Sequence, residues 1–231
     1  SFTWYSMLAR HRLGAAICFS SASTIAVSKH AMPVYEIYKV GEDLHWKTGL
    51  DFFSHFGLEL TITPHWNNND GGEDLDTSRC YMGQARYAEL LAMLTDMPTI
   101  LGIEENTGVV IDPVSGVCKV VGGGDAIIRR HGKEARYSTG KTFSANLLGE
   151  WRLPQGSAGI PGEVWVRAVA VHAAAAEATA QVPAQATKLV EDRETALKLR
   201  DWVTADHIRA ELLELGWQVI DTKSGPLLER K

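Results

Sequence analysis

The spacing of apolar and polar residues changes several times along the chain, and each change predicts an element. Residues 3–12 have the composition of a short helix. The compact apolar run 14–19 predicts a strand buried on both faces of a parallel sheet. Residues 51–57 suit a helical turn, and 58–63 alternate as a strand that ends at Pro64-His65. Asn, Gly and Asp crowd residues 67–76, which predicts a loop. From Thr77 to Leu94 the apolar Tyr81, Ala85, Ala88, Leu91 and Leu94 recur every three or four residues, the period of a one-faced helix. Two short strands follow over 99–103 and 108–111. Apolar runs at 117–121 and 126–128 flank three glycines and predict a hairpin between them.

Strand–helix–strand alternation predicts an α/β fold, with a parallel sheet sandwiched by helices over residues 1–165. The Ala-, Gln- and Pro-rich stretch over 166–186 has the composition of a linker or loose helix. Beyond it, residues 187–231 predict a small α+β module. Its helices span 188–200 and about 204–215, the second with Ala205, Ile208, Leu212 and Leu215 on one face. Gly216 stops that helix, and a β-ribbon turns at Lys223-Ser-Gly225.

Composition narrows the function. The 231 residues carry a net charge of −5, which offers no bulk electrostatic attraction for nucleic acid. Cys18, Cys80 and Cys118 are sparse and lack CxxC spacing, as expected of reduced thiols in a cytoplasmic protein without a zinc site. No apolar run approaches the ~18 residues of a membrane span. The chain opens on Ser1 without a signal-like segment, which suggests a piece cut from a longer reading frame.

Candidate chemistry starts at Ile17-Cys-Phe-Ser-Ser-Ala-Ser-Thr24, directly after the first expected strand. A nucleophile elbow exposes a serine on a sharp strand-to-helix turn, with small residues two before and two after it. Ser20 has Cys18 and Ala22 in those places. Ser21 has Phe19 and Ser23, and Phe19 would crowd the turn, so sterics favour Ser20. A serine-rich helix N-terminus is the plainer alternative. His65, at a strand end, suits a general base because imidazole titrates near neutrality. Glu36, Glu42 and Asp43 each lie where an orienting acid could come from. The polar loop 67–76 does not place its glycines as a calcium loop requires, and Gly122-Gly-Gly124 lacks the lysine of a phosphate loop.

Four motifs in order then resemble the peptidase family of dipeptidase E and cyanophycinase. The segment Ile17–Ala26 is similar to that family's nucleophile segment, where Trp-Ser-Ala-Gly-Ala follows Ile-Cys. Leu60-Thr-Ile-Thr-Pro-His-Trp-Asn67 resembles its histidine motif, Ile-Asn-Pro-His-Phe. Arg79 and Arg86 precede a Leu-Leu helix, as the family's arginines do, and Gly102-Ile-Glu-Glu-Asn-Thr-Gly108 resembles Gly-Ile-Asp-Glu-Asn-Thr-Ala. The resemblance implies a partial class I glutamine-amidotransferase-like (flavodoxin-like) fold and a serine peptidase of small peptides with acidic or β-aspartyl linkages, without a cofactor. It implies Ser20 as nucleophile, His65 as base and Glu36 as acid. Glu105 is an alternative acid or a contact to the substrate amine, and Arg79 a partner for a substrate carboxylate or simply a solvated helix-start arginine. The family's glycine after Ser-Ala is absent, and the family carries further strands before the elbow that supply oxyanion donors. Loss of one such donor costs about 10²–10³ in rate, so a weak hydrolase with an open strand edge, prone to form a homodimer, is expected.

The tail carries a second resemblance. Arg193-Glu-Thr-Ala-Leu-Lys-Leu-Arg-Asp-Trp202, then Ala205-Asp-His-Ile-Arg-Ala-Glu-Leu212, Gly216 and Asp221, is similar to the C-terminal domain of cysteinyl-tRNA synthetases. Gly225-Pro-Leu-Leu228 replaces that domain's Gly-Thr-x-Trp ending. From Ala186 onward eight Lys and Arg face nine Asp and Glu, so tRNA binding is disfavoured and a packing or partner-binding module is expected.

Overall fold

The computed structural model describes residues 1–180 and 182–231, and the chain divides into two compact units. Unit 2 runs from Ala16 to Gly159. Unit 1 joins Ser1–Ala15 to Ile160–Lys231.

The core of residues 16–159 is a four-stranded sheet in the order β3-β4-β7-β8, made of β3 (Leu60–Thr63), β4 (Thr99–Ile103), β7 (Asp125–Arg130) and β8 (Lys133–Ser138). Only β3 and β4 are parallel, with Leu60 opposite Thr99 and Thr63 opposite Gly102; β4–β7 and β7–β8 are antiparallel. The expected parallel sheet is thus a single parallel pair inside a mixed sheet. β3 is buried at every position rather than alternating, as befits a strand covered on both faces. Its outer edge is closed by side chain and loop: the Ser28 hydroxyl accepts from Ile62 N–H at 2.8 Å, and Lys29 N–H donates to the Leu60 carbonyl.

A second sheet, β5 (Thr107–Asp112), β6 (Val117–Gly122) and β9 (Thr142–Ser144), is antiparallel throughout. The hairpin expected across the three glycines does not form, because β6 pairs with β5 while β7 crosses to β4. Gly122, at φ +108, lies so close to the Asn106 carbonyl that a Cβ would collide with it, which fixes glycine at this crossing.

Residues 14–19 were expected as a buried strand, yet none of them is in one, and Gly14, Ala15 and Ala16 are exposed. A strand needs a neighbour to take its N–H and C=O groups, and no described strand pairs with this run. Instead Ala22–Ala26 forms the short helix α2, with Thr24 and Ile25 buried. A two-stranded ribbon pairs β1 (His30–Ala31) with β2 (Lys47–Thr48), and the helical turn expected at 51–57 is present over Phe52–Phe56. The helix expected from Thr77 begins later, as α3 (Gly83–Ala92). Its buried residues are Gly83, Tyr87 and Leu90, with Ala85 and Ala88 exposed, so the apolar face is rotated from the expected one. Trp66, Met82, Tyr87, Leu90, Ile100 and Ile127 form the core beneath it.

In unit 1, α1 (Phe2–Arg12) packs on α4 (Gly162–Ala180). The first helix, expected to belong with residues 1–165, therefore groups with the C-terminal unit. Most of the expected linker 166–186 is helix α4; Gln181 lies outside the described residues. Helices α5 (Ala184–Lys198) and α6 (Trp202–Glu214) cover an antiparallel hairpin of β10 (Trp217–Thr222) and β11 (Gly225–Arg230). Ala186, Ile208, Leu212, Trp217 and Val219 form its core, and Arg193, 5% exposed, grips Asp221 through two hydrogen bonds of 2.8 Å.

Candidate active site

The parallel register of β3 and β4 brings His65 and Glu105 to the same carboxyl-terminal edge of the sheet, where ligand sites of open α/β sheets form. His65 Nδ1 lies 3.3 Å from Glu105 Oε1, and its Nε2 lies 2.8 Å from the hydroxyl of Ser21. Serine, imidazole and carboxylate are therefore in line, both ring nitrogens engaged. The His65 side chain is 30% exposed and that of Glu105 36%, while Ser21 is exposed, so the row is open to solvent.

The serine in this row is Ser21 and not Ser20. Ser21 sits at φ 49, ψ −116, a conformation costly to a residue with a Cβ, immediately before α2. The steric objection was that Phe19 would fill the turn. Phe19 instead packs edge-on against Phe52, ring centroids 5.1 Å apart, which clears the turn. Ser20 is fixed by its backbone: its N–H donates to the Ser23 hydroxyl, which donates back to the Ser20 carbonyl. Ala22, the first residue of α2, follows Ser21 directly and is exposed like it.

The carboxylate beside His65 is Glu105, the alternative acid, and not Glu36. Glu36 accepts a 2.9 Å hydrogen bond from Lys47, which holds its carboxyl below the usual range, and it makes no contact with His65. His65 has Glu105, and Glu105 is itself held twice. Asn68 Nδ2 donates to Glu105 Oε1 at 2.8 Å, and the Glu105 N–H donates to Asn67 Oδ1 at 2.8 Å. The loop read from sequence as merely polar thus commits its first two asparagines to Glu105, Asn68 buried and Asn67 at the surface. Nothing in residue type marks them, since Asn is common in any loop.

Arg79 is present but engaged. Its guanidinium lies 4.0 Å over the Trp66 ring and donates to the Trp66 carbonyl at 2.8 Å; burial pulls its pKa below the ordinary arginine value. Gly102 also lies against the Trp66 ring, where an added Cβ would come within 2.4 Å of it. Contacts from Gly102 and Arg79 thus fix Trp66, the residue next to His65. Arg79, Cys80 and Tyr81 all have positive φ (58, 58 and 69). This left-handed turn, which interrupts the expected helix, lets the N–H groups of Arg79 and Cys80 donate to the carbonyls of Trp66 and His65. Tyr81 leans toward His65, ring centroids 6.2 Å apart, and donates to Asp70 at 2.8 Å. That bond raises the pKa of Tyr81; Asn68 and Tyr81 together lower that of Asp70. Burial pushes the Cys80 thiol up to about 12, so it is a neutral neighbour. Among the described residues no cluster of His, Cys, Asp and Glu converges as metal ligands would, and no helix is long and apolar enough to cross a membrane.

Comparison with known protein families finds a match to the cysteinyl-tRNA ligase anticodon binding domain over residues 179–225. Cysteine–tRNA ligases match the same end of the chain: that of Methanosarcina mazei is 46% identical over 50 residues, and that of Rubrobacter xylanophilus 41% over 51. Each match covers 22% of this chain and 11% of the ligase, so the chain spans only a small part of these relatives. Among solved structures, a peptidase from an acI-B1 Actinobacterium superposes with a TM-score of 0.38 and 18% identity, covering 54% of this chain and 43% of that one. A likeness that loose settles neither fold nor activity. What the comparisons show is that residues 179–225, helices α5 and α6 with strand β10, resemble an anticodon-binding domain.

Proposed function

We propose that residues 16–159 are a serine-type hydrolase domain, with Ser21 as nucleophile, His65 as general base and Glu105 as orienting acid. The supporting observation is the continuous Ser21–His65–Glu105 row, with Ser21 on a strained turn. In this reading Glu105 accepts a hydrogen bond from Nδ1–H, which keeps the proton on Nδ1 and leaves the Nε2 lone pair facing the serine. Ser21 Oγ attacks a carbonyl carbon while Nε2 takes its proton. The imidazolium then returns that proton to the leaving amine, and water hydrolyses the acyl-serine by the same route. In this reading the N–H of the residue after the nucleophile, Ala22, would be an oxyanion donor. The substrates are small peptides, acidic or β-aspartyl ones by the resemblance of the motifs. Because Arg79 lies on Trp66, recognition of a substrate carboxylate falls to other groups.

A fluorophosphonate probe tests this reading on the full chain, with the adduct located by mass spectrometry. Labelling should sit on Ser21, survive Ser20→Ala and vanish in Ser21→Ala. A wild-type chain that takes no label, or takes it at Ser20, would overturn the assignment.

A second reading covers the tail alone, and the match over residues 179–225 favours it. The segment is an interaction module that keeps the packing of an anticodon-binding domain without a basic surface.

A further inference from the structure

The row of three has a fourth member. Asn68 is 2% exposed, in a loop whose other polar residues mostly face solvent. Its amide has one orientation that satisfies both ends. Oδ1 must accept from the Asp70 N–H (3.2 Å), which leaves Nδ2 to donate to Glu105 Oε1 (2.8 Å). The same Oε1 faces His65 Nδ1. One carboxylate oxygen therefore receives two donors, and its position is set by Asn68 as much as by the histidine. The Glu105 N–H bond to Asn67 fixes the backbone below it.

We infer that Asn68 is a positioning residue: by holding Glu105 Oε1 against His65 Nδ1 it keeps the imidazole in the tautomer with the proton on Nδ1. This rests on the reading of Ser21, His65 and Glu105 as a catalytic row. Without the Asn68 donor, Glu105, more than a third exposed, is free to swing toward water. His65 then exchanges between tautomers, and only one of them offers a lone pair to Ser21. The other charged or titratable groups here are Asp70, Tyr81 and Cys80. Tyr81 and Cys80 both have raised pKa values and stay neutral, and Asp70 is engaged by Tyr81.

The test reads the tautomer itself, so it does not depend on the chain being active. Nitrogen-15 NMR of the His65 ring should show Nδ1 protonated in the neutral wild-type protein. Asn68→Ala should shift the population toward the Nε2-protonated form and slow fluorophosphonate labelling roughly tenfold to a hundredfold, the scale of a small misplacement of a reacting group. In a Glu105→Ala background Asn68→Ala should add nothing, because its effect passes through Glu105.

Asn68→Asp covers the case in which the alanine variant misfolds. It keeps the acceptor for Asp70 N–H and replaces only the donor with an oxygen facing Glu105. Two carboxylates at that distance share a proton at low pH and repel when both ionise. The labelling defect should therefore deepen as pH rises, a dependence that a merely structural role would not give. A wild-type tautomer ratio in both Asn68 variants, or an undiminished effect of Asn68→Ala in the Glu105→Ala background, would overturn the inference. A native tautomer signature with no labelling of Ser21 would instead count against the hydrolase reading.

Discussion

Replacing Glu105 by glutamine separates charge from geometry at the candidate site, because the two donors on this carboxylate meet a single oxygen. His65 Nδ1 and Asn68 Nδ2 both face Oε1, and a glutamine carbonyl in that place can accept from both. The tautomer should survive, and what is lost is the negative charge opposite the imidazolium formed when Ser21 gives up its proton. At 3.3 Å with an effective dielectric of about 20–40, that charge is worth roughly 2.5–5 kcal/mol. Both side chains are about one-third exposed, which favours the lower end. Each 1.36 kcal/mol is tenfold in rate, so Glu105→Gln should slow the reaction about 10²-fold. Glu105→Ala, which also releases the tautomer, should slow it further. Glu36→Gln should leave the rate unchanged, since Glu36 faces Lys47. The assay is the second-order rate of fluorophosphonate labelling at fixed pH, with p-nitrophenyl acetate hydrolysis as a check. A 10²-fold loss in Glu36→Gln with none in Glu105→Gln would refute the reasoning and restore the acid suggested by the sequence.

Other consequences are open to direct measurement. Gly102→Ala places a Cβ 2.4 Å from the Trp66 ring, and overpacking of that kind costs about 1–3 kcal/mol, so its thermal midpoint should fall and Ser21 labelling with it. In the C-terminal unit, Asp221→Asn weakens the grip on the buried Arg193 and should cost roughly 1–3 kcal/mol, near the lower end because Asp221 is largely exposed; chemical denaturation reads this. Hydrogen bonds from Arg193 hold the Asp221 carboxyl below its ordinary range. A depressed folded pKa stabilises fully above the unfolded value of about 4 and is lost as pH falls through the folded one. The stability gap between wild type and Asp221→Asn should therefore close below about pH 4. Nearly balanced charge in the tail predicts tRNA binding no tighter than about 10⁻⁴–10⁻⁶ M, and sub-micromolar, anticodon-dependent binding by filter retention would contradict it.

The sequence made the tail legible and the site only partly so. Helices, stop and ribbon at the C-terminus are local, each spelled by period and a glycine, and Gly216 ends α6 at φ +81 as its position suggests. His65 was legible because a strand and a proline precede it. Glu105 was visible only through a motif, since a parallel register across 40 residues, not any local pattern, brings it to the histidine. Ser21 was passed over because the steric argument left Phe19 no other place, whereas Phe52 gives its ring one. The run 14–19 shows a limit of reading apolar strands: hydrophobicity can nominate a strand, but only a neighbour's backbone makes one.

Backbone strain gathers at the candidate site. Among the described residues ten that are not glycine have positive φ, and five of them are Ser21, His65, Arg79, Cys80 and Tyr81. Strain of this kind, of order 1–3 kcal/mol at each position, persists only where the surroundings over-determine it. Here they do so by named contacts. Arg79 and Cys80 give their N–H groups to the carbonyls of Trp66 and His65, Trp66 contacts both Gly102 and Arg79, and Trp66 and Tyr87 are buried edge to face. Ser21 is held from the other side by α2, whose buried Ile25 joins the same core as Trp66 and Tyr87. Two strained turns are therefore anchored in one core and meet at a single hydrogen bond, Ser21 to His65. A chain selected for stability alone gains nothing from holding both turns in costly conformations. A chain that must present a hydroxyl to an imidazole at 2.8 Å does.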